Sequence, residues 1–193
     1  PLAMTVMQVL SVDLGTDILP ALALGVERPE PGLMERPPRN PKEHVISAAL
    51  LVRAYLILGT VQGTLAMLAF FFHYWTHGYT GQILGLPDSG QVYTIATTMT
   101  LAATVATQIG NLFAQRTERI SVFKYPLFNN RLLWLGIAAE IILLILLSYV
   151  PFLQTIFNTG PIPPENVPFL IALIPALLVT DEIRKFFVRK RDR

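Results

Sequence analysis

Five long apolar stretches limit what this chain can fold into. They cover about residues 3–26, 45–72, 94–115, 132–150 and 167–183. A helix of about 20 apolar residues crosses the roughly 30 Å hydrocarbon core of a bilayer. The connectors contain prolines and glycines, which end helices, as in Gly160-Pro-Ile-Pro-Pro164. The pattern predicts an all-α fold: one membrane domain over residues 1–193, built as a polytopic transmembrane helix bundle of five spans.

The composition supports a lipid environment and excludes several functional classes. Only 15% of the 193 residues are charged, against about 25% in an ordinary soluble domain. The chain has no cysteine, which excludes disulfides, thiol catalysis and thiolate metal sites. The net charge of +2 is too small to suggest a nucleic-acid partner. We therefore expect membrane lipid, and no nucleic acid, among its partners.

The basic residues predict which side of the membrane each connector faces. Fourteen of the 15 Lys and Arg residues lie in the first connector, the third connector and the C-terminal tail. Lys and Arg near membrane spans stay on the cytoplasmic side. We therefore expect the N-terminus outside and the C-terminus inside, in the plasma (cell inner) membrane. Five spans from an outside start, beginning at Pro1 without a signal pattern, predict a fragment that lacks an odd number of upstream spans.

Two aspartates lie in the middle of the first stretch. Asp13 and Asp17 have i, i+4 spacing, which puts both carboxylates on one helix face about one turn apart. A carboxylate at mid-bilayer costs at least ~2.5 kcal/mol, and a second like charge adds to that cost. No basic residue lies in a span core, so a cation or a proton is the expected partner. The alternative is a short interfacial helix whose acids are protonated or reach toward water.

The residues around these acids weaken the helix. Pro20 has no N–H to donate to the carbonyl of Thr16, and Gly15 lowers helix stability. We therefore expect the first span to be partly unwound near Asp13–Pro20. An opened turn would offer carbonyl and carboxylate oxygens, which hard cations prefer.

Other polar residues lie inside the predicted spans. Along the third span they recur at helical spacing, at Thr97, Thr100, Thr104, Gln108, Asn111 and Gln115. Such side chains bond neighbouring spans or coordinate ions. We interpret the threonines as helix–helix contacts and leave both functions open for Gln108 and Asn111. Glu140, the lone acid of the fourth span, is expected to face the interior as a proton relay, a peripheral ion ligand or a protonated acid bonded to backbone.

Three further features have simpler interpretations. His73 and His77 have the spacing of a metal pair but lie among aromatic residues at the predicted outer interface, so we interpret them as interface residues. Local pairing and snorkelling of the basic side chains explain the charges of Asp181-Glu-Ile-Arg-Lys185. Pro175 predicts a kink in the last span.

Several of these motifs resemble one family. The segment Asp13-Leu-Gly-Thr-Asp17-Ile-Leu-Pro20, followed by Met34-Glu-Arg-Pro-Pro-Arg-Asn-Pro-Lys42, is similar to the sixth span and following loop of P-type cation-transporting ATPases. These are the pumps of the calcium and sodium/potassium type. The stretch from Asn130 to Glu140 resembles their ninth span, and residues 181–185 resemble the end of the tenth. The resemblance covers essentially the whole chain and implies their sixth to tenth spans.

The resemblance implies part of a pump. ATP would phosphorylate an aspartate in a cytoplasmic domain that this chain lacks, so ATP and Mg2+ belong to the longer protein, and the fragment alone is not catalytic. The implied ligands of the transported cation (Na+, K+, Ca2+ or H+) are Asp13, Thr16, Asp17, Gln108, Asn111 and Glu140. The first connector would couple this site to the phosphorylation domain. The short outer loop 73–93 argues against an accessory β-subunit, and the missing N-terminal part of the same polypeptide is the implied partner.

Two other functional classes remain open from the residues alone. A self-sufficient passive channel or secondary transporter would conduct ions through these five spans without nucleotide. A purely structural helper bundle would leave transport by the full protein unchanged when Asp13 and Asp17 are replaced by asparagine.

Overall fold

The computed structural model describes residues 1–35, 46, 48–118 and 120–191. The Arg36–Lys42 part of the first connector lies outside the described residues, as does Arg119. The described chain is all-α. Four of its helical segments are long and apolar enough to cross a membrane: Val6–Gly25, Val52–Thr76, Arg131–Tyr149 and Pro164–Lys190.

The first span consists of helix α1 (Val6–Ser11), a π-helical turn (Val12–Thr16) and helix α2 (Ile18–Gly25). Its start is fixed by a capping box, in which Thr5 Oγ1 accepts from the amide of Gln8 and the amide of Thr5 donates to Gln8 Oε1. The amide of Asp17 donates to the carbonyl of Val12 across five residues, at 3.2 Å. The predicted interruption is therefore present as a widened π turn, a feature often found at functional sites.

The second span joins helix α3 (Ala48–Leu51), a π-helical segment (Val52–Gly59) and helix α4 (Thr60–Thr76). The C-terminal end of α4 differs from the sequence interpretation. His73 is fully buried, its ring lies 4.0 Å from the His77 ring between centroids in a tilted arrangement, and its Nδ1 lies 3.3 Å from Nδ2 of Asn166. The sequence interpretation missed this burial, because His73 lies on the face of α4 that packs into the bundle.

Helix α5 (Gln91–Gln115) forms the centre of the bundle. It packs against α4 on one side and the last span on another, and most of its residues are buried. Its 25 residues give a length of about 37 Å, enough to cross a bilayer, but α5 is not among the four segments that are also apolar enough to do so, so the prediction of five spans is matched at four. Gly110 permits the contact with the last span, because a Cβ there would lie 2.4 Å from the carbonyl oxygen of Ile174.

The threonines of α5 do not all connect helices. The hydroxyls of Thr100 and Thr104 donate to carbonyls of α5 itself, four residues back, at 3.1 and 2.9 Å. Only Thr97 among the three predicted contacts accepts a hydrogen bond from another described helix, from Nε2 of Gln8 at 3.2 Å. The interpretation as helix–helix contacts holds for Thr97, whereas back-bonding within the helix satisfies Thr100 and Thr104.

The remaining spans are α6 (Arg131–Tyr149) and α8 (Val167–Arg191), with the short helix α7 (Pro151–Phe157) between them. Asn130 caps α6, since its Oδ1 accepts from the amides of Leu132 and Leu133. Helix α8 continues through Pro175.

The end of α8 corrects a second interpretation. Lys185 does not snorkel: it is fully buried, and its Nζ lies 3.0 Å from Oδ2 of Asp181. Asp181 also binds Arg184 on its own helix and Arg53 on the second span. Lys185 Nζ further donates to the carbonyl of Ala114 on α5. The charges therefore join three spans instead of pairing only locally.

Candidate cation site

The π turn of the first span meets the middle of α5. Gln108 Nε2 donates to Oδ1 of Asp17 at 2.5 Å, and Oγ1 of Thr16 lies 3.3 Å from Gln108 Oε1. Thr16 Oγ1 also lies 2.9 Å from the carbonyl of Val12, so the hydroxyl is held within the turn. The three side chains Thr16, Asp17 and Gln108 form one polar cluster between the first span and α5.

Asp13 extends this cluster along the exposed face of the first span. Asp13 and Asp17 are both exposed, and their carboxylates interact electrostatically. Within the described part of the chain, the Asp13 side chain accepts no hydrogen bond. Leu14 and Ile18, which follow Asp13 and Asp17 in the chain, are also exposed, at 68% and 48%. The described residues therefore leave this face of the span uncovered.

Two glycines let α6 approach the other side of the first span. A Cβ at Gly15 would lie 2.4 Å from Cδ2 of Leu143, and a Cβ at Gly136 would lie 3.2 Å from the nitrogen of Pro20. This packing brings Glu140 close enough to Asp17 for the two carboxyl groups to interact. Glu140 is 2% exposed, and its Oε2 has no hydrogen-bond partner among the described residues.

Asn111 lies apart from the cluster. Its Oδ1 accepts from Nε2 of Gln115 at 3.2 Å, within the same helix. The structure thus brings together Thr16, Asp17 and Gln108, places Glu140 beside them and Asp13 on the open face, and leaves Asn111 one turn away along α5.

The donors of this site are carboxylate, hydroxyl and amide oxygens, with the carbonyl of Thr16 nearby because Pro20 has no N–H to donate to it. Such oxygens suit hard cations. No group of three or more His, Cys, Asp or Glu side chains with metal-binding geometry occurs in the described ranges. The described site is therefore a partial shell, open on the face that carries Asp13.

The first span is held at both ends by residues that sequence reasoning did not single out. At its N-terminal end, Gln8 Nε2 donates to Thr97 Oγ1 at 3.2 Å and to the carbonyl of Asn158 at 2.9 Å. The Thr5-x-x-Gln8 capping-box pattern could have drawn attention to Gln8. No comparable local signal exists for the other end.

At the C-terminal end of the first span, Glu27 binds Arg116 by two hydrogen bonds of 3.0 Å each. Burial raises the pKa of Glu27, but the hydrogen bonds from Arg116 and Asn130 outweigh it, so the pKa lies below its usual value. Glu27 therefore stays ionised, and the carboxylate joins the end of α2 to the end of α5.

Comparisons with known proteins bear on this arrangement. Residues 1–187 match the sequence profile of a family described as "Cation transporting ATPase, C-terminus". The chain is 31% identical over 98% of its length to potassium-transporting ATPase alpha chain 2 of Rattus norvegicus. It is 33% identical over 95% of its length to a calcium-transporting ATPase of Bacillus subtilis. It is 28% identical over 99% of its length to sodium/potassium-transporting ATPase subunit alpha-4 of Rattus norvegicus.

The chain spans about a fifth of these relatives, between 19% and 21% of each one's length. The apolar helices and the relatives agree that it is an integral membrane protein. With its all-α bundle and a family match over nearly its whole length, the chain belongs to the family of C-terminal membrane regions of P-type cation-transporting ATPases.

Proposed function

We propose that the chain supplies part of the intramembrane cation site of an ATP-driven pump. Its ligands are Asp13, Thr16, Asp17 and Gln108, with Glu140 beside them and Asn111 at the periphery. The observation that carries this proposal is the polar cluster of Thr16, Asp17 and Gln108 at the π turn, next to a second carboxylate that the described chain leaves open.

The electrostatics of the cluster support binding of a cation. Asp13 and Asp17 carry two like charges one turn apart, and Gln108 provides a single neutral donor to one of them. A cation placed between the two carboxylates would relieve their repulsion and offset the cost of burying them in the membrane. Gln108 would then turn its carbonyl oxygen toward the ion, or keep its amide on Asp17 as a support.

Glu140 has a separate role in this proposal. A buried carboxyl without a hydrogen-bond partner is costly as an anion, and Asp17 adds a like charge nearby. We propose that Glu140 carries a proton while the site is empty and exchanges it as the local charge changes.

The longer protein supplies the remaining functions. We propose that the connector 27–44 couples the site to a phosphorylation domain, and that ATP and Mg2+ bind outside this chain. We further propose a plasma (cell inner) membrane location with the N-terminus of this chain outside and its C-terminus in the cytoplasm, without an accessory β-subunit. The relatives are named for potassium, sodium/potassium and calcium transport, and the oxygen donors here suit all three ions.

The ATPase activity of the full-length protein in detergent or vesicles tests the pump proposal. Activity should be titrated with sodium, potassium, calcium and manganese, and at least one cation should stimulate it. Replacing Asp17 with asparagine should raise the half-saturating concentration of that cation. The control is Asp88→Asn, which changes an exposed carboxylate of the outer α4–α5 connector.

Two outcomes would favour the other functional classes. Ion flux through vesicles that contain only this chain, without nucleotide, would identify a passive channel or secondary transporter. Unchanged transport by the full protein after both Asp13→Asn and Asp17→Asn would identify a structural helper bundle and overturn the site.

A further inference from the structure

The cytoplasmic end of the first span is clamped by one buried carboxylate. Glu27 accepts two hydrogen bonds from Arg116 and one from Nδ2 of Asn130 at 3.0 Å, and the hydroxyl of Tyr125 lies 3.4 Å from its Oε1. The Arg116 side chain is 0% exposed and the Glu27 side chain is 9% exposed. We call these four residues the inner clamp.

The inner clamp ties the first span to both ends of the α5–α6 connector. Arg116 directly follows α5, and its Nη1 also donates to the carbonyl of Leu127. Asn130 caps α6 and donates to the carbonyl of Ala23 in the last turns of α2, at 2.8 Å. A neutral side chain in place of Glu27 would therefore leave the Arg116 guanidinium buried without its counter-charge.

The first span and α5, which the inner clamp joins, also carry the candidate cation site. Gln108 lies eight residues before Arg116 on α5, and Asp17 lies ten residues before Glu27. At 1.5 Å per helical residue these separations are about 12 Å and about 15 Å. A slip of one residue at the clamp would move the first span by about 1.5 Å along α5, several times the usual spread of hydrogen-bond lengths. The Asp17–Gln108 contact would not survive that slip.

We propose that Glu27 is a positioning residue that sets the register in which Asp17 meets Gln108. This rests on the proposed function, since the contact that it positions is the candidate cation site. Glu27 is also the first residue of the connector proposed to couple that site to the phosphorylation domain. A displacement of the connector therefore acts on the clamp before it reaches the site. The other end of the span is held by neutral hydrogen bonds from Gln8, and no described residue makes a comparable charged contact there.

The full-length pump carrying Glu27→Gln or Arg116→Lys tests the proposal. Glu27→Gln removes the charge that faces Arg116 and should raise the half-saturating cation concentration about tenfold, within the usual range of coupling between sites. The maximal rate should stay within about twofold, because no ligand is removed. Arg116→Lys keeps the charge but loses the bidentate geometry, and should give a smaller shift in the same direction.

Glu182→Gln is the matched control. Glu182 also accepts a hydrogen bond from the α5–α6 connector, from the amide of Val122 at 2.8 Å, but it belongs to α8 and not to the first span. Its replacement should leave the half-saturating concentration unchanged within about twofold. An equal shift in Glu182→Gln and Glu27→Gln would overturn the proposal, as would a loss of maximal rate in Glu27→Gln without a change in half-saturation.

Cross-linking measures the register without relying on transport. Ala23 and Leu112 belong to one buried cluster between the first span and α5, and this chain contains no native cysteine. A cysteine pair at these positions should cross-link several-fold more slowly with Glu27→Gln than without it, and at an unchanged rate with Glu182→Gln. Unchanged cross-linking with Glu27→Gln would overturn the positioning role. A wild-type protein that responds to no cation would overturn only the proposed function.

Discussion

Asp17 and Glu27 lie ten residues apart on one segment, and their surroundings are opposite. Asp17 is exposed within the described chain and receives one side-chain hydrogen bond, from Gln108. Glu27 is nearly enclosed and receives hydrogen bonds from Arg116, Asn130 and Tyr125. A carboxylate whose lone pairs are all occupied has little capacity to bind an ion, whereas one with free lone pairs can accept one. The difference separates a structural charge from a candidate ligand.

Asp181 resembles Glu27 in being enclosed and in pairing with a basic side chain. It is fully buried and contacts Arg53, Arg184 and Lys185. Both carboxylates lie at the ends of spans, where basic side chains are available. Asp13 and Asp17 lie in mid-span, where no basic side chain of a described helix reaches them.

The largest expected effect is a loss of stability when the buried carboxylate of Asp181 is neutralised. Among the described residues, Asp181→Asn leaves the buried Lys185 with Glu182, at 3.7 Å, as its one carboxylate partner. Removing one partner of a buried ion pair typically costs about 3–5 kcal/mol of stability. Denaturant unfolding of the full-length protein in detergent should show this loss, with the cation affinity of the folded fraction unchanged. A loss of cation affinity without a loss of stability would contradict the assignment of Asp181 to structure.

The next largest expected effect is a loss of cation affinity when Asp17, the carboxylate with free lone pairs, is neutralised. Asp17→Asn removes one ligand charge, and a hydrogen bond to a charged group contributes about 1.5–3 kcal/mol. The half-saturating cation concentration should therefore rise roughly 10–100-fold. The unfolding free energy should change little, because Gln108 is the one described side chain that donates a hydrogen bond to this carboxylate. Large destabilisation with unchanged cation affinity would place Asp17 with the structural charges instead.

A smaller effect on stability tests how tightly α5 and α8 pack against each other. Gly110→Ala puts a Cβ 2.4 Å from the carbonyl oxygen of Ile174, and overpacking of this kind costs about 1–3 kcal/mol. Gly63→Ala is the matched control, since a Cβ there meets nothing within 4 Å. Thermal unfolding of the two variants should give a lower midpoint for Gly110→Ala only. Equal midpoints would mean that α5 and α8 separate without cost.

The smallest effect concerns pH. The pKa of Glu27 lies below its ordinary value of 4.5, because hydrogen bonds from Arg116 and Asn130 outweigh the effect of burial. A lowered carboxyl pKa contributes stability above the ordinary value, and that contribution is lost as the pH falls through the lowered pKa. The difference in unfolding midpoint between wild type and Glu27→Gln should stay constant from neutral pH to about 4.5 and shrink below it. A difference that shrinks already between pH 7 and pH 5 would contradict the lowered pKa.

Local patterns predicted the parts of the site that lie close together in the chain. The spacing of Asp13 and Asp17, with Pro20 one turn later, predicted an interrupted helix with two carboxylates on one face. The interruption is present as a π turn, because the backbone can widen by one residue and keep most of its hydrogen bonds. Local reasoning missed the burial of His73 and Lys185, which depends on neighbouring helices that no local pattern reveals.

By itself, the sequence determined the membrane setting, the all-α bundle and the position of the acids in the first span. These follow from hydrophobic run length and helical spacing, which act over a few turns. Only the tertiary structure decided that Gln108, 91 residues away, contacts Asp17 and that Asn111 does not. Only it decided that Glu27 is enclosed by Arg116 and Asn130. The rotation and register of packed helices arise from side-chain complementarity between distant segments, and one turn of a helix separates a side chain that contacts Asp17 from one that does not.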